Sequence, residues 1–292
     1  VAALSTAARG FAPTPRARQD ALPNQEVVVA ETFPSLTVPA WPGTLTRIGV
    51  WLLIAGAVLV VISAPIHRFG LAGFQPALLL LAGGALLLAL GALLAIVGFL
   101  AALAKDAPVS KGATAIAIVV GLGLLGYLLS WLRAGMGVPP IHEISTDLQS
   151  PPPFVALREI RAQTPGVNPV DYVTEQPGRS GTINVPQAQR SAYPDIQPLQ
   201  LPMAPADAFA RVESAARSLG WEIVASVPEE GRLEATEATR FFGFKDDVVV
   251  RLRAEGGGTR VDVRSKSRVG VGDVGANAAR VRKFLAAVGS TA

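Results

Sequence analysis

Asp246 and Asp247 are adjacent, and a pair of carboxylates is the first feature of this chain that suggests acid–base chemistry. Neighbours on a strand point to opposite faces, so these two cannot share one substrate. The same alternation puts Asp246 on one sheet face with Ser265 and Ser267, where an apolar core would call for valines. A helix carrying Asp273, Asn277 and Arg280 follows a few residues later, so all six groups converge at one end of the sheet. Such a cluster is either a hydrogen-bonded clasp, with Asp246 paired to Arg280 or Arg268, or the lining of a ligand pocket or active site. On the opposite face lie Arg251, Arg253, Arg260, Arg264, Lys266 and Arg268, relieved by Asp247 and Asp262. That pattern is expected of a solvated strand face, or of a surface that meets anionic headgroups or an acidic partner.

Other catalytic templates fail on spacing. Gly270-x-Gly272-x-x-Gly275 follows a strand and opens a helix, as a dinucleotide-binding turn would. A parallel strand would have to follow that helix, yet only a few residues remain, and Asp273 puts negative charge where a pyrophosphate would sit. A flexible turn with a helix cap is the simpler reading. His67 and His142 have no partners at metal-ligand spacing and are expected to be solvated or interfacial. There is no Gly-x-Ser-x-Gly elbow and no cysteine, hence no disulfide and no thiolate site. No cofactor and no metal are expected.

The elements that position these residues follow from periodicity. Residues 205–220 predict a helix, with Pro205 as its first residue, Gly220 as its stop, and Phe209, Val212, Ala216 and Leu219 on one stripe. Residues 221–226 and 231–236 predict one hairpin. Residues 247–254 and 259–269 predict a second around Glu255-Gly256-Gly257-Gly258. Pairing across that loop sets Leu252 opposite Val261, Val250 opposite Val263, Val248 opposite Ser265, Arg251 opposite Asp262 and Asp247 opposite Lys266. A last helix, 273–288, is capped by Asp273 and buries Val274, Ala278, Val281, Leu285 and Val288. The order helix, four antiparallel strands, helix implies an α+β layer and is similar to helix-grip domains.

Ahead of this core, residues 46–64, 74–104 and 113–132 are apolar runs with no charged side chain beyond Arg47 at the edge of the first. Each is long enough to cross a bilayer as a helix. Gly49, Gly56 and Ser63 recur at sevens, as do Gly84, Gly91 and Gly98, which marks a contact seam between two helices. Ionisable groups inside a span usually mark a transport pathway, so a pump or transporter is disfavoured. Residues 1–45 hold six prolines, lack the core of a signal peptide, and are expected to form a disordered leader. Residues 133–204 are proline-rich; one short helix around Phe154, Val155, Leu157 and Ile160 is expected, the rest running extended around the domain at 205–292. The net charge of +4 resides wholly in residues 1–138, where eight Lys and Arg face four acids. The neutral remainder, with no aromatics interleaved on its basic face, gives no support for nucleic acid.

Several phrases carry a family resemblance: Tyr193-Pro194-Asp195-Ile196, Leu219-Gly220-Trp221-Glu222-Ile223-Val224, Phe242-Gly243-Phe244-Lys245-Asp246-Asp247 and Arg264-Ser265-Lys266-Ser267-Arg268-Val269-Gly270, closed by residues 273–280. From about 141 to 285 the chain resembles the bacterial domain-of-unknown-function family 1499. The resemblance implies an envelope-associated or membrane-tethered domain and no reaction. The expected protein is therefore a membrane-anchored α+β protein of the bacterial inner membrane, a non-enzymatic binding or scaffold module with membrane lipids and another envelope protein as partners. A small-ligand protein or hydrolase using the Asp246 end is the alternative. Arg47, Lys105 and Lys111 on one side of the spans, against Arg68 and Arg133 on the other, place the C-terminal domain in the periplasm.

Overall fold

A computed structural model describes residues 38–178 and 181–290, so residues 1–37 of the expected leader at 1–45 lie outside the described residues, while its residues 41–45 are helical and open the first helix. Three helices come first: α1 (Trp41–Arg68), α2 (Phe74–Ala104) and α3 (Lys111–Met136). All three are long and apolar enough to cross a membrane. The glycine sevens meet. A Cβ on Gly56 would sit 2.8 Å from the Gly84 carbonyl, one on Gly91 would sit 2.7 Å from Leu53 N, and one on Gly98 would sit 2.5 Å from Thr46 N. Backbones this close exclude any larger side chain, which is why α1 and α2 form a tight antiparallel hairpin. Helix α3 is held more loosely, burying Thr114 and Gly121 and receiving Leu53 over Gly121.

The chain then forms β1 (Glu143–Ser145), α4 (Ala156–Ala162), β2 (Glu175–Gly178), β3 (Gly181–Asn184), α5 (Val185–Ala192) and β4 (Leu199–Leu201). The remaining elements are α6 (Pro205–Ser218), β5 (Glu222–Val227), β6 (Arg232–Ala238), β7 (Lys245–Glu255), β8 (Gly258–Ser267) and α7 (Ala276–Gly289). The main sheet has six antiparallel strands rather than the expected four, in the order β1-β8-β7-β6-β5, with β4 also paired to β8. The two additional strands come from the proline-rich segment. They lie end to end along the free edge of β8, β1 on residues 264–266 and β4 on residues 259–261. Proline permits this, because an edge strand needs backbone donors on one side only.

The β7–β8 register is the expected one, including Leu252 with Val261, Arg251 with Asp262 and Asp247 with Lys266. Its turn is tighter than expected. Glu255 pairs with Gly258, and Gly256 and Gly257 both take positive φ, 61° and 78°, as a two-residue hairpin turn requires. On the apolar sheet face Val248, Val250, Leu252, Val261 and Val263 meet Phe209, Val212 and Ala216 of α6 and Ala278, Val281, Phe284 and Val288 of α7. Trp221 stacks on Phe284 at 4.8 Å. The last helix begins at Ala276 instead of 273. Val274 therefore drops out of the buried stripe, and Phe284 takes the core place expected of Leu285, which is only partly buried.

The seam between α1 and α2 makes a direct prediction. Gly83 has open space where a Cβ would go. Gly83→Ala should be neutral, or stabilising by up to about 1 kcal/mol through helix propensity. Gly91→Leu should cost about 1–3 kcal/mol by forcing the backbones apart. Thermal unfolding of the two variants in detergent checks this, and equal melting temperatures would count against the seam.

Candidate functional site

The inner polar cluster is built by three elements. In the β7–β8 register Asp246 faces Ser267 and Val248 faces Ser265, and the first turns of α7 bring Asn277 and Arg280, one helical turn apart, over them. Arg280 Nη2 donates to Asp246 Oδ2 at 2.6 Å, its Nε to Glu237, and its Nη1 to Asn277 Oδ1 at 2.7 Å and Ser265 Oγ at 3.2 Å. Asn277 Nδ2 donates to Ser267 Oγ at 2.9 Å and to the His142 carbonyl at 3.1 Å. Ser265 Oγ donates to Asn277 Oδ1 at 2.6 Å. Asp273 accepts the backbone N–H groups of Gly275 and Asn277 at 2.8 and 2.7 Å, and burial pushes its pKa up. All six residues singled out in the sequence thus meet, joined by Glu237 and the His142 carbonyl. Asp246 pairs with Arg280 and not with Arg268. Arg280 and Asn277 occupy the space between the strands and helix, and Ser265 hydrogen-bonds an amide oxygen, which is too weak a base to activate it.

The opposite face is covered rather than solvated, which corrects the expectation of an open strand face. Residues 146–173 and helix α4 lie over it, so Arg264, Lys266 and Arg268 are buried. Two carboxylates organise them. Glu143 of β1 receives Arg264 Nε and, at 3.0 Å, Lys266 Nζ. Asp247 receives Arg161 of α4 at 2.9 Å and Arg268 at 2.8–3.1 Å, together with the Thr236 hydroxyl at 2.8 Å. Four cations against two carboxylates leave donors over, and carbonyls of the covering segment take them. Arg264 donates to Pro152 O at 3.1 Å and Val170 O at 2.8 Å, Lys266 to Asp171 O at 2.7 Å, and Arg161 to Asn168 O at 2.9 Å. The Arg264 guanidinium also lies over the rings of Phe154 and Tyr172, 4.7 and 5.5 Å from their centroids.

Burial sets the electrostatics here. It lowers the Lys266 pKa to about 8 against the opposing pull of Glu143, and raises the Tyr172 hydroxyl to about 12 with help from Glu143. His142 falls to about 4, through burial first and the Lys266 cation second. Further along, Glu234 accepts the N–H groups of Val155, Ala156 and Leu157 at 2.9–3.0 Å and so anchors the start of α4. Arg251, Arg253 and Arg260 form the rim, converging on Asp262 at 2.9 Å each and on Asp147 at 3.1–3.4 Å. The basic face is therefore divided, three cations sealed and three at the rim. Sequence reasoning missed Glu143, Asp147, Arg161 and Glu234. Alternation signals which residues share a face, but not which distant segment covers it.

A third contact ties the domain to the apolar helices. His67, at the end of α1, lies with Nδ1 2.6 Å from the Phe242 carbonyl and its ring 4.8 Å from Phe244. Arg68 Nη1 donates to the carbonyls of Thr239 and Arg240 at 3.1 and 2.9 Å. Phe242 and Phe244 stack at 5.1 Å on either side of Gly243, whose φ of 70° reverses the chain and whose missing side chain admits Arg68. His67 is thus half-buried at a docking contact.

Residues 143–288 match the family described as "Protein of unknown function (DUF1499)". That is half of the 292-residue chain, and the chain belongs to this family. No curated protein matches the chain significantly.

Two predictions follow from the burial of these groups. Asp246→Ala leaves Arg280 with only the half-exposed Glu237 as counter-charge and should destabilise the domain by about 3 kcal/mol, measured by urea unfolding. Near-wild-type stability would show that Asp246 is not a clasp. For His142, the folded pKa of about 4 lies below the ordinary 6.5, so on acidification the unfolded chain takes up the proton first. Its contribution is intact above about pH 6.5 and is lost as the pH falls toward 4, a loss of about 3 kcal/mol. His142→Phe should remove that part of the acid slope, and the difference between the two proteins separates it from carboxylate titration. Identical slopes would contradict the burial of a neutral imidazole.

Proposed function

We propose that this protein is a multi-pass protein of the bacterial inner membrane whose C-terminal domain is a non-enzymatic cell-envelope module, binding or scaffolding a protein partner at the bilayer surface. The observation that carries this reading is the consumption of the polar groups by one another. The Asp246 cluster is filled by Arg280 and Asn277, and the charged strand face is closed by residues 146–173. A hydrolase would need a nucleophile beside a free base, and a small-ligand site would need the volume these side chains occupy.

The docking contact favours a scaffold. His67 and Arg68 bond to loop 239–244, so the domain is held against the helix ends instead of swinging on a tether. Three spans put the two ends of the chain on opposite sides, and the distribution of Arg47, Lys105 and Lys111 against Arg68 and Arg133 favours a periplasmic domain.

Two measurements test this reading. An alkaline-phosphatase fusion after Ala292 should be active, and activity of a cytoplasm-only reporter at the same point would reverse the orientation. Affinity capture of the detergent-solubilised chain should recover a membrane or envelope protein that is lost when residues 139–292 are deleted. Recovery of the same proteins without the domain would contradict a scaffolding role.

A further inference from the structure

Loop 270–275 reads Gly-Val-Gly-Asp-Val-Gly, and its two valines point away from the domain core. Val271 is 68% exposed and Val274 is 48% exposed. Val274 holds φ at 55°, a conformation that a β-branched residue rarely adopts. The flanking glycines Gly270 and Gly275 are also at positive φ, 91° and 83°. The one charged residue of the loop, Asp273, turns inward and accepts two backbone N–H groups, which leaves the outer side of the loop wholly apolar.

This loop does not face open space. Together with Trp131, Leu132 and Met136 in the last turns of α3, Val271 and Val274 border a groove of about 430 Å³. Val274 lies directly over Gly135, where an added Cβ would come within 3.3 Å of it. The loop is tied there from below: Asp273 N donates to Ile141 O at 3.2 Å, and Gln176 Nε2 donates to Val271 O at 2.8 Å. The groove therefore continues the exposed apolar side of α3 onto the domain. At the same end of the helices Phe69, Leu71 and Phe241 are exposed as well. An apolar surface of this extent, continuous with a helix long enough to cross a membrane and ending at a tryptophan, suits the boundary between headgroups and acyl chains.

We infer that loop 270–275 is a lipid-contacting wedge: Val271 and Val274 enter the bilayer boundary beside α3, and the groove against Trp131 and Met136 is filled by a phospholipid acyl chain. The inference rests on the proposed membrane anchoring and adds that the domain itself shares the lipid surface. It assigns the strained backbone at Val274 a purpose, which is to present an apolar side chain toward lipid while Asp273 stays in the protein.

The chain contains no cysteine, so single cysteines can be spin-labelled without background. Nitroxides would be placed at Val271→Cys and Val274→Cys in the full chain, reconstituted in nanodiscs of phosphatidylcholine and phosphatidylglycerol. Leu93→Cys on the exposed side of α2 supplies the lipid reference, and Glu229→Cys in the exposed turn between β5 and β6 supplies the water reference. Power saturation with oxygen and with a nickel chelate then reports depth. The expected result is a depth parameter at 271 and 274 of the same sign as at Leu93 and opposite to that at Glu229. If Leu93 reports lipid while 271 and 274 report water, the wedge is wrong and the anchoring stands. Should Leu93 itself report water, the anchoring is wrong and the wedge falls with it. Val271, Leu93 and Glu229 are exposed and Val274 is half-exposed against Gly135, so an unchanged unfolding curve for each variant is the control that the labels leave the fold intact.

Discussion

Glu143 and Asp247 each hold two cations inside the domain, and the arrangement of the rest depends on that constraint. Strand β8 alternates, so burying Val261, Val263 and Ser265 under the helices forces Arg264 and Lys266 to the other side. A face with this much charge and no cover would be ordinary surface. Here Glu143 and Arg161 are delivered by the proline-rich segment, and the cations left over take carbonyls at 152, 168, 170 and 171. Buried ion pairs of this kind add little net stability, because desolvation offsets attraction, but breaking one is costly. They tie the segment to the path that lays β1 and β4 against the open edge of β8.

The two clusters are stitched together at one end of the sheet. Residues 142–144 belong to both: the His142 carbonyl accepts from Asn277 and from Ser267 N, the Glu143 side chain enters the charged face, and Ile144 enters the apolar core. Loop 239–244, which docks on His67 and Arg68, joins β6 to β7 at that same end, and loop 270–275 leaves β8 there. The docking contact, the clasp and loop 270–275 are therefore mechanically contiguous. The proposed scaffold role would require this, because a partner on the domain would then meet a surface with a defined orientation to the helices.

Much of this was legible in the sequence where periodicity is local. The sevens of glycine marked the α1–α2 seam, and the alternation around Gly256-Gly257 set the hairpin register residue by residue. The convergence of Asp246, Ser265, Ser267, Asp273, Asn277 and Arg280 also followed, since strand and helix adjoin in the chain. Strands β1 and β4 were not legible, because three residues carry no period and their pairing is decided by β8 more than fifty positions later. For the same reason alternation alone presents the charged face as open: Arg161 meets Asp247 across 86 positions, and Glu143 meets Lys266 across 123. His67 finds Phe242 over 175 positions, which no spacing rule anticipates.

The sealing of the charged face is tested most directly by a double-mutant cycle on Arg161 and Asp247, with unfolding of the full chain followed in detergent. Asp247→Asn alone strands Arg161 and Arg268 and should cost about 3–5 kcal/mol. Adding Arg161→Met removes one stranded cation, so the double variant should be more stable than the two single losses combined imply, with a coupling above about 1 kcal/mol. Additive losses, or an Asp247→Asn protein that unfolds like the wild type, would mean that this face is solvated surface and that the proline-rich segment is not what holds the domain in its fold.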